Sequence, residues 1–551
     1  MTPSVEGLAL RCNDGTPLLS DVYLPQGRTR VPLILLRSPY DRTSSLTQKM
    51  IGVEECLDRG YGVVLQDTRG RFGSGGSFDP FHQEIADGHE TVEWLADQSF
   101  ASGEIFMAGS SYVGATQWLA AMASPPHLAG IAPSLTASDI YEGWMYQGGA
   151  FQLAFNLFWA LVHLLPEEER RRLGLPQEPR PVTPAYRDEV DDTSFAANAS
   201  HSLSVAGKWL HTLPLTSVDP LHGDASFYAD WLWNQKRDDV YWSRISAERN
   251  MWRVRCPVLS VSGWYQLFVR GAYEGHRYVR STGGTEMARR RSRLIIGPWE
   301  NSLPGPRNTT SGILDFGPSA GLEFTATQLE FFDSILEQRP VDGTAQVSYF
   351  TMGANEWSSV DTWPPPRTAW RTLFLRSNGR LHDDPPAGNE GYDETGYDPA
   401  NPVPTLGGAT VPGLPQGPQD HSALDARGDC AVYRSEPLDA PVTIAGPVRV
   451  IIEADRTAPS TDITATLSLE QTDGIVINVC DGITRWSEGP GSARVEIDLL
   501  ASAIRVPPGD RIHLRISHSN FPRFDRNLCT GEPMPLASRM GTCQHRIHHG
   551  R

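Results

Sequence analysis

Ile105-Phe106-Met107-Ala108-Gly109-Ser110-Ser111-Tyr112-Val113-Gly114 is an apolar run that ends in a glycine-flanked pair of serines, followed by a helix-like stretch with Thr116, Trp118 and Leu119. Strand, sharp turn and helix in that order form a nucleophile elbow. The small residue two before Ser111 lets the chain reverse, so that the hydroxyl projects above the sheet beside a helix N-terminus. The usual Gly-x-Ser-x-Gly spacing is stretched, because the second glycine is Gly114, three residues after Ser111. The other reading of these residues is a helix N-cap serine after a strand.

Outward from the elbow, short apolar runs at Val31–Tyr40, Tyr61–Gln66, Glu104–Ala108 and Leu128–Pro133 alternate with amphipathic stretches such as Asp87–Gln98. That alternation predicts parallel strands joined by crossover helices over residues 1–140. Residues 141–245 change to Trp-rich helical segments broken by the charged, Pro-rich stretch Pro166–Asp192, as in an inserted helical cap. Strand–helix alternation resumes over 246–340, at Val254–Ser262 and Arg291–Gly297. Residues 341–551 then read as alternating strands (Val448–Glu453, Ile463–Leu469, Ala493–Leu499, Arg511–Ser517), predicting an all-β sandwich. The Gly/Pro-rich Asp383–Gln419 is expected to wrap its surface.

The 551 residues carry 48 Lys and Arg against 65 Asp and Glu, a net charge of −17 that repels nucleic acid and anionic membranes alike. The most apolar run, Ala150–Leu165, is interrupted by Gln152, Asn156 and His163 and is too short to span a bilayer, so it reads as a buried helix. Seven Cys with no C-x-x-C pair, and an N-terminus without an apolar leader core, predict a reducing, cytoplasmic setting. No cofactor motif stands out. Gly73-Ser74-Gly75-Gly76 lacks the Lys-Ser/Thr of a phosphate loop, and His89-Glu90-Thr91-Val92-Glu93 ends on a carboxylate where a zinc motif has histidine. Cys543, His545, His548 and His549 could ligate adventitious metal, but read more simply as a solvated terminal strand.

Ser38-Pro39-Tyr40-Asp41-Arg42, Gln66 to Ser74, Gly109 to Gly114, Gly263-Trp264-Tyr265 and Ile296-Gly297-Pro298-Trp299 occur in an order that resembles the cocaine-esterase-like (CocE/NonD) family. This family is related to the X-Pro dipeptidyl-peptidases and the α-amino-acid ester hydrolases. Met352 to Trp357 and Phe521 to Asn527 extend the resemblance into the β domain. It implies an α/β-hydrolase core, a helical cap and a C-terminal jelly roll. It also implies Ser111 as nucleophile, with the backbone N–H of Tyr112 and the Tyr40 hydroxyl as oxyanion donors.

Two positions depart from the pattern. Directly after Gly-Trp-Tyr, where the family carries its triad Asp, stands Gln266; two residues after Gly-Pro-Trp, where it carries its triad His, Glu300 is followed by Asn301. Amides have no usable basicity, so the hydrolytic triad is incomplete. A one-residue slip would bring Glu300 near the histidine's place as a weaker base. His82, His89 and His276 are read as surface or supporting histidines. Trp144, Phe151, Phe155 and Trp159, with Phe268 after the altered acid position, are candidates to line an apolar pocket.

The expected partner is a small-molecule acyl or ester substrate, with a homodimer as the one protein assembly allowed. The leading expectation is an enzyme that keeps the ester substrate class but not hydrolysis: elimination of a carboxylate, acyl transfer or cyclisation, by analogy in secondary metabolism. The alternatives are a serine esterase or acyl-peptide hydrolase with a displaced base, and an inactive binding protein.

Overall fold

The computed structural model describes residues 2–174, 207–221, 226–301, 305–339 and 345–549. A ten-stranded sheet has the spatial order Val5–Arg11, Pro17–Tyr23, Gly62–Asp67, Val31–Ser38, Ala101–Ser110, Leu128–Ser134, Leu259–Tyr265, Arg293–Glu300, Val347–Thr351, Glu356–Val360. From Gly62–Asp67 to Val347–Thr351 neighbouring strands are parallel. Their sequences are near-continuous apolar runs because both faces are covered: Leu33, Ile34, Leu35 and Leu36 are at most 1% exposed. Glu84–Ala96 and Tyr112–Met122 pack together on one face. Val53–Arg59 and Phe324–Leu336 share the core of the other.

The fold is the α/β-hydrolase core with a C-terminal β-sandwich that the sequence predicts, with several differences in detail. Val5–Arg11 and Pro17–Tyr23 form an antiparallel hairpin, because the few residues between them, turned at Gly15 with φ +85°, are too short for a crossover. The core sheet also continues past 340 to Val360, since Val347–Thr351 adds in parallel to Arg293–Glu300. Gly353, at the tip of that last hairpin (φ +78°), lies against the jelly roll, where a β-carbon would meet Arg505 O at 2.4 Å.

Ala150–Leu165 is buried but not one helix. A short strand, Ala150–Phe151, leads into the α-helix Leu153–Phe158 and a π-helical stretch, Trp159–Leu164, before Leu165–Arg172. Residues 175–192 of the Pro-rich cap stretch lie outside the described residues. Among the described residues no helix is long and apolar enough to cross a membrane.

The C-terminal sandwich stacks a six-stranded sheet, with Thr461–Glu470 and Arg511–Ser517 inside it, on a four-stranded one ordered Tyr392–Tyr397, Cys543–His548, Val442–Arg456, Gly491–Val506. Asp383–Gln419 does more than wrap the surface. It supplies the strand Tyr392–Tyr397 and then turns inward, burying Thr405, Ala409, Thr410 and Val411. The terminal strand is likewise half buried rather than solvated: Cys543, His545 and Ile547 face in and Gln544 and Arg546 face out.

Candidate active site

Ser111 joins the strand Ala101–Ser110 to the helix Tyr112–Met122 with φ 60° and ψ −128°, a conformation rare for a residue with a side chain. The turn is clamped on both sides: Ser111 N donates to Ser134 O at 3.1 Å, and Gly114 N and Ala115 N donate to Ser111 O at 2.8 and 3.0 Å. The stretched glycine spacing follows from packing. A β-carbon on Gly109 would lie 2.4 Å from Val113 Cγ1, and one on Gly114 would lie 2.6 Å from Thr136 Cγ2. Valine at 113 thus fills the space above Gly109, and the close helix–strand approach falls one residue later, at Gly114.

Tyr112 opens the helix, so its N–H has no partner within the helix and adds to the positive end of the dipole. Its side chain is anchored below. Tyr112 Oη donates to Glu84 Oε1 at 3.0 Å and accepts from Phe81 N at 3.0 Å, and Glu84 pairs with Arg37 at 2.6 Å. Burial pushes the Tyr112 phenol well above its ordinary range, and it raises the Glu84 carboxyl against the pull of Arg37.

Tyr40 lies two residues beyond Val31–Ser38, the strand adjacent to the elbow strand with Leu35 opposite Met107. The strand order therefore brings Tyr40 and Ser111 out at the same edge of the sheet. Trp159 Nε1 donates to Tyr40 Oη at 3.1 Å, and an accepted bond of this kind polarises a phenol towards being a better donor itself. His163, on the same π-helical stretch, packs its ring edge-on to Tyr40 with centroids 5.7 Å apart.

The ends of Leu259–Tyr265 and Arg293–Glu300 bring the two altered positions together. Gln266 is fully buried; its Nε2 donates to Asn301 Oδ1 at 3.0 Å and to Glu300 O at 3.3 Å. An aspartate–histidine pair is held together by a proton on the histidine. Here the amide on the acid side is the donor, and neither partner takes a proton near neutral pH. Gln266 Oε1 is buried without a partner among the described residues.

Glu300 does not fill the histidine's place. Its Oε2 accepts from Ser311 Oγ at 2.9 Å and Gly312 N at 2.8 Å, committing the carboxylate to the small hairpin Thr310–Asp315. The cause is a bulge: the pairing of Arg293–Glu300 with Leu259–Tyr265 shifts between Gly297 and Glu300, which re-aims the side chain. His82, His276 and His89 sit in packing positions. His82 packs on Tyr241 at 4.4 Å, its pKa lowered to about 4 by burial and then by Arg244. His276 is buried on the helix Val269–Thr282, its pKa lowered to about 3 by burial and then by Arg280. His89 follows Glu84 and Asp87 on the packed helix Glu84–Ala96.

Of the predicted pocket aromatics, Trp144 stacks on Phe268 with centroids 4.6 Å apart, and Phe155 meets Phe268 at 5.3 Å. Trp159 meets Trp144 at 5.3 Å and Tyr112 at 5.8 Å. One aromatic cluster thus links the elbow to the altered acid position. Phe151 takes another direction: its ring meets Tyr146 and Tyr228, and its backbone N–H donates to Asp525 Oδ1 at 2.8 Å, so it fastens cap to jelly roll. Sequence reasoning missed Val411 and Leu414, which the inward-turning jelly-roll segment adds to the same core, and the Trp159–Tyr40 bond. The four-residue spacing of Phe155 and Trp159 was the one signal for the latter.

Among the described residues no group of three or more His, Cys, Asp or Glu converges as a metal site. His548 pairs with Asp455 at 2.8 Å and His549 with Asp393 at 2.9 Å, while His545 Nε2 lies 2.9 Å from Thr461 Oγ1.

The X-Pro dipeptidyl-peptidase (S15) family matches residues 14–301, and the X-Pro dipeptidyl-peptidase C-terminal non-catalytic domain matches residues 340–551. The sequence is 33% identical to cocaine esterase of Rhodococcus sp. (strain MB1 Bresler), over 98% of this chain and 95% of that protein. Two solved structures share the fold over 98% of this chain and 94% of theirs. They are an α-amino acid ester hydrolase (23% identity, TM-score 0.77) and an aminopeptidase from a marine sediment archaeon, Thaumarchaeota archaeon (20%, 0.80). With the elbow, the cap and the β-sandwich in place, the chain belongs to the X-Pro dipeptidyl-peptidase (S15) family in its cocaine-esterase-like (CocE/NonD) branch, a family of esterases and peptidases.

Proposed function

We propose that the protein acts on an acyl ester of a small, largely apolar compound at Ser111, as a serine esterase whose base is not the residue at position 301. The observation that carries this is the elbow itself. Ser111 holds φ 60° with ψ −128°, a combination that costs on the order of 1–3 kcal/mol, at the strand-to-helix turn that presents its hydroxyl at the edge of the parallel sheet. In this reading the substrate carbonyl lies over Ser111 with its oxygen towards Tyr112 N–H and the Tyr40 hydroxyl. Ser111 Oγ gives up its proton to the base and attacks the carbonyl carbon, the proton passes to the departing alcohol, and water then attacks the acyl-enzyme, returning a proton to Ser111 and releasing the acid. The two donors stabilise negative charge as it develops on the carbonyl oxygen.

A second reading is favoured by one specific observation, the neutral Gln266–Asn301 pair, which offers nothing to activate the Ser111 hydroxyl as a nucleophile. The same donors could stabilise a departing carboxylate: a base takes the β C–H proton, that electron pair forms the alkene, and the alkyl C–O pair leaves with the carboxylate, without an acyl-enzyme. Turnover in ¹⁸O-labelled water separates the two. Hydrolysis puts label into the released acid and leaves an alcohol; elimination leaves the acid unlabelled and the other product lighter by a water. The esterase reading is withdrawn if Ser111-dependent turnover gives unlabelled acid.

A further inference from the structure

A buried guanidinium ties the peptide that carries Tyr40 to the cap. Arg71 lies on the turn after the strand Gly62–Asp67, its N–H on Thr68 O at 3.1 Å and its carbonyl accepting from Ser74 N at 2.9 Å. Its side chain is 0% exposed. From there Nε donates to Pro39 O at 3.1 Å, Nη1 to Leu164 O and to Glu168 Oε1 at 2.9 Å each, and Nη2 to His163 O at 3.0 Å. Pro39 O belongs to the peptide joining Pro39 to Tyr40, whose N–H end is held by Ser38 Oγ at 3.0 Å. His163 and Leu164 end the π-helical stretch whose first residue, Trp159, bonds the Tyr40 hydroxyl. The guanidinium also lies over the Phe78 ring, 4.9 Å from its centroid, and Phe78 meets Tyr112 at 6.2 Å.

We propose that Arg71 is a positioning residue: by holding the Pro39–Tyr40 peptide and the end of the π-helical stretch at once, it fixes Tyr40 against Trp159 and keeps the phenol aimed at the oxygen over Ser111. This rests on the reading of Tyr40 as an oxyanion donor. A phenol stabilises developing charge only if it is already in place when the charge appears. Tyr40 has two anchors, its own peptide on the core and the Trp159 indole on the cap, so its aim depends on how those two parts sit together. A guanidinium presents its N–H donors in one plane and in fixed directions, which lets it serve carbonyls of both parts simultaneously. An ammonium is a point with no such fork, so lysine could satisfy Glu168 and one carbonyl but not both sides of the bridge.

Docking of the cap has bonds of its own. Glu167 Oε1 accepts from Phe72 N at 2.9 Å, and Arg171 Nη1 donates to Ser74 O at 3.0 Å and to Phe72 O at 3.2 Å, all between the helix Leu165–Arg172 and the turn that carries Arg71. These hold the helix to the turn without touching Pro39. What Arg71 adds is the bond to Pro39 O, and through it the connection to Tyr40. Loss of the fork should therefore loosen the aim of the phenol while leaving the cap in place.

The test is a double-mutant cycle on turnover of 2-phenylethyl acetate, a small apolar ester that either hydrolysis or elimination can consume. Arg71→Lys is made in the unaltered chain and in Tyr40→Phe. In the unaltered chain it should lower kcat about tenfold with KM within about twofold; in Tyr40→Phe it should cost less than about twofold, because the group it positions is gone. The same factor in both backgrounds, or an effect on KM alone, would overturn the positioning role while leaving Tyr40 as a donor. An unaltered kcat in Tyr40→Phe would remove the donor reading and this inference together, whereas unlabelled acid in ¹⁸O-labelled water would remove only the esterase reading. The bridge itself is read without a variant, by native-state hydrogen exchange of the unaltered chain in rising urea. Peptides covering residues 40–42 and 159–165 should open at one shared free energy. Two separate openings would overturn the bridge even if Arg71→Lys failed to fold.

Discussion

The two halves of the site have kept different things. The half built on the elbow retains strain and support: Ser111 at φ 60° and ψ −128°, and Tyr112 tied through its phenol to Glu84 and Arg37. The half built on the neighbouring strand ends retains shape without charge, since Gln266 and Asn301 still touch but hold no proton to give or take at neutral pH. In the proposed reading the first half presents the nucleophile and receives negative charge, while at the second, where that chemistry would move protons, a neutral amide pair stands. Binding and polarising an acyl group needs only the first half; fast acyl-enzyme turnover needs both.

Substitutions in the two halves should therefore differ sharply. The largest effect on turnover should come from Ser111→Ala, which under the esterase reading lowers kcat by about 10³-fold or more, as loss of a nucleophile does elsewhere. A loss below about tenfold would place the chemistry outside the acyl-enzyme route and favour the elimination reading. Tyr40→Phe should follow with about 10²-fold in kcat and little change in KM, because an oxyanion donor acts in the transition state. A change confined to KM would mean that Tyr40 only binds. In the other half, Gln266→Ala and Asn301→Ala should each change kcat by less than about threefold, since neither group is available for acid–base work.

Repair is the sharper probe of the neutral half. Gln266→Asp together with Asn301→His should raise hydrolysis of activated esters roughly tenfold, a fraction of the 10²–10⁴ a well-placed base provides. Each change alone should do little, since triad members act as a unit. Equal gains from one substitution alone would show that the other position lies outside the site. Smaller again is Trp159→Phe, which removes the bond to Tyr40 Oη. One hydrogen bond of about 0.5–1.5 kcal/mol corresponds to a two- to tenfold loss, and kcat should carry it.

The elbow half was legible in the sequence because strand, turn and helix are local, and each announces itself by its period. That Gln266 and Asn301 stand at neighbouring strand ends was legible as well, because each follows a short motif at fixed spacing. The direction of Glu300 was not. A bulge one turn of the pleat upstream reverses where a side chain points, and nothing in Ile296-Gly297-Pro298-Trp299 signals it. Phe151 was misplaced for a related reason: in an aromatic-rich run, a two-residue strand before the helix moves one ring out of the series. Val411 and Leu414 come from a Gly/Pro-rich stretch without periodicity, whose burial is decided by residues distant in sequence.

The smallest effect on activity should come from His276, the histidine nearest in sequence to the neutral half, and it is informative through stability. Its pKa lies near 3 in the folded chain, against about 6.5 for an unperturbed imidazole. Between those values the unfolded chain binds a proton that the native one does not, so acidification destabilises the fold. The contribution is fully present above pH 6.5 and is lost as pH falls towards 3, by at most about 1.4 kcal/mol per pH unit. His82, lowered to about 4, acts in the same direction. Asp67 acts oppositely: burial, only partly offset by Arg42, raises its pKa to about 7, so its contribution is lost as pH rises from about 4 to 7. The total pH–stability curve mixes these groups, but the difference between the unaltered chain and His276→Gln isolates one. Measured by urea unfolding, that difference should shrink by about 2 kcal/mol between pH 6.5 and 5, while ester turnover at pH 7.5 stays within about twofold. A difference that did not vary with pH would mean that the buried imidazole accepts a proton in the native state. A 10²-fold fall in turnover would make His276 the missing base, and the neutral half would then be less empty than Gln266 and Asn301 suggest.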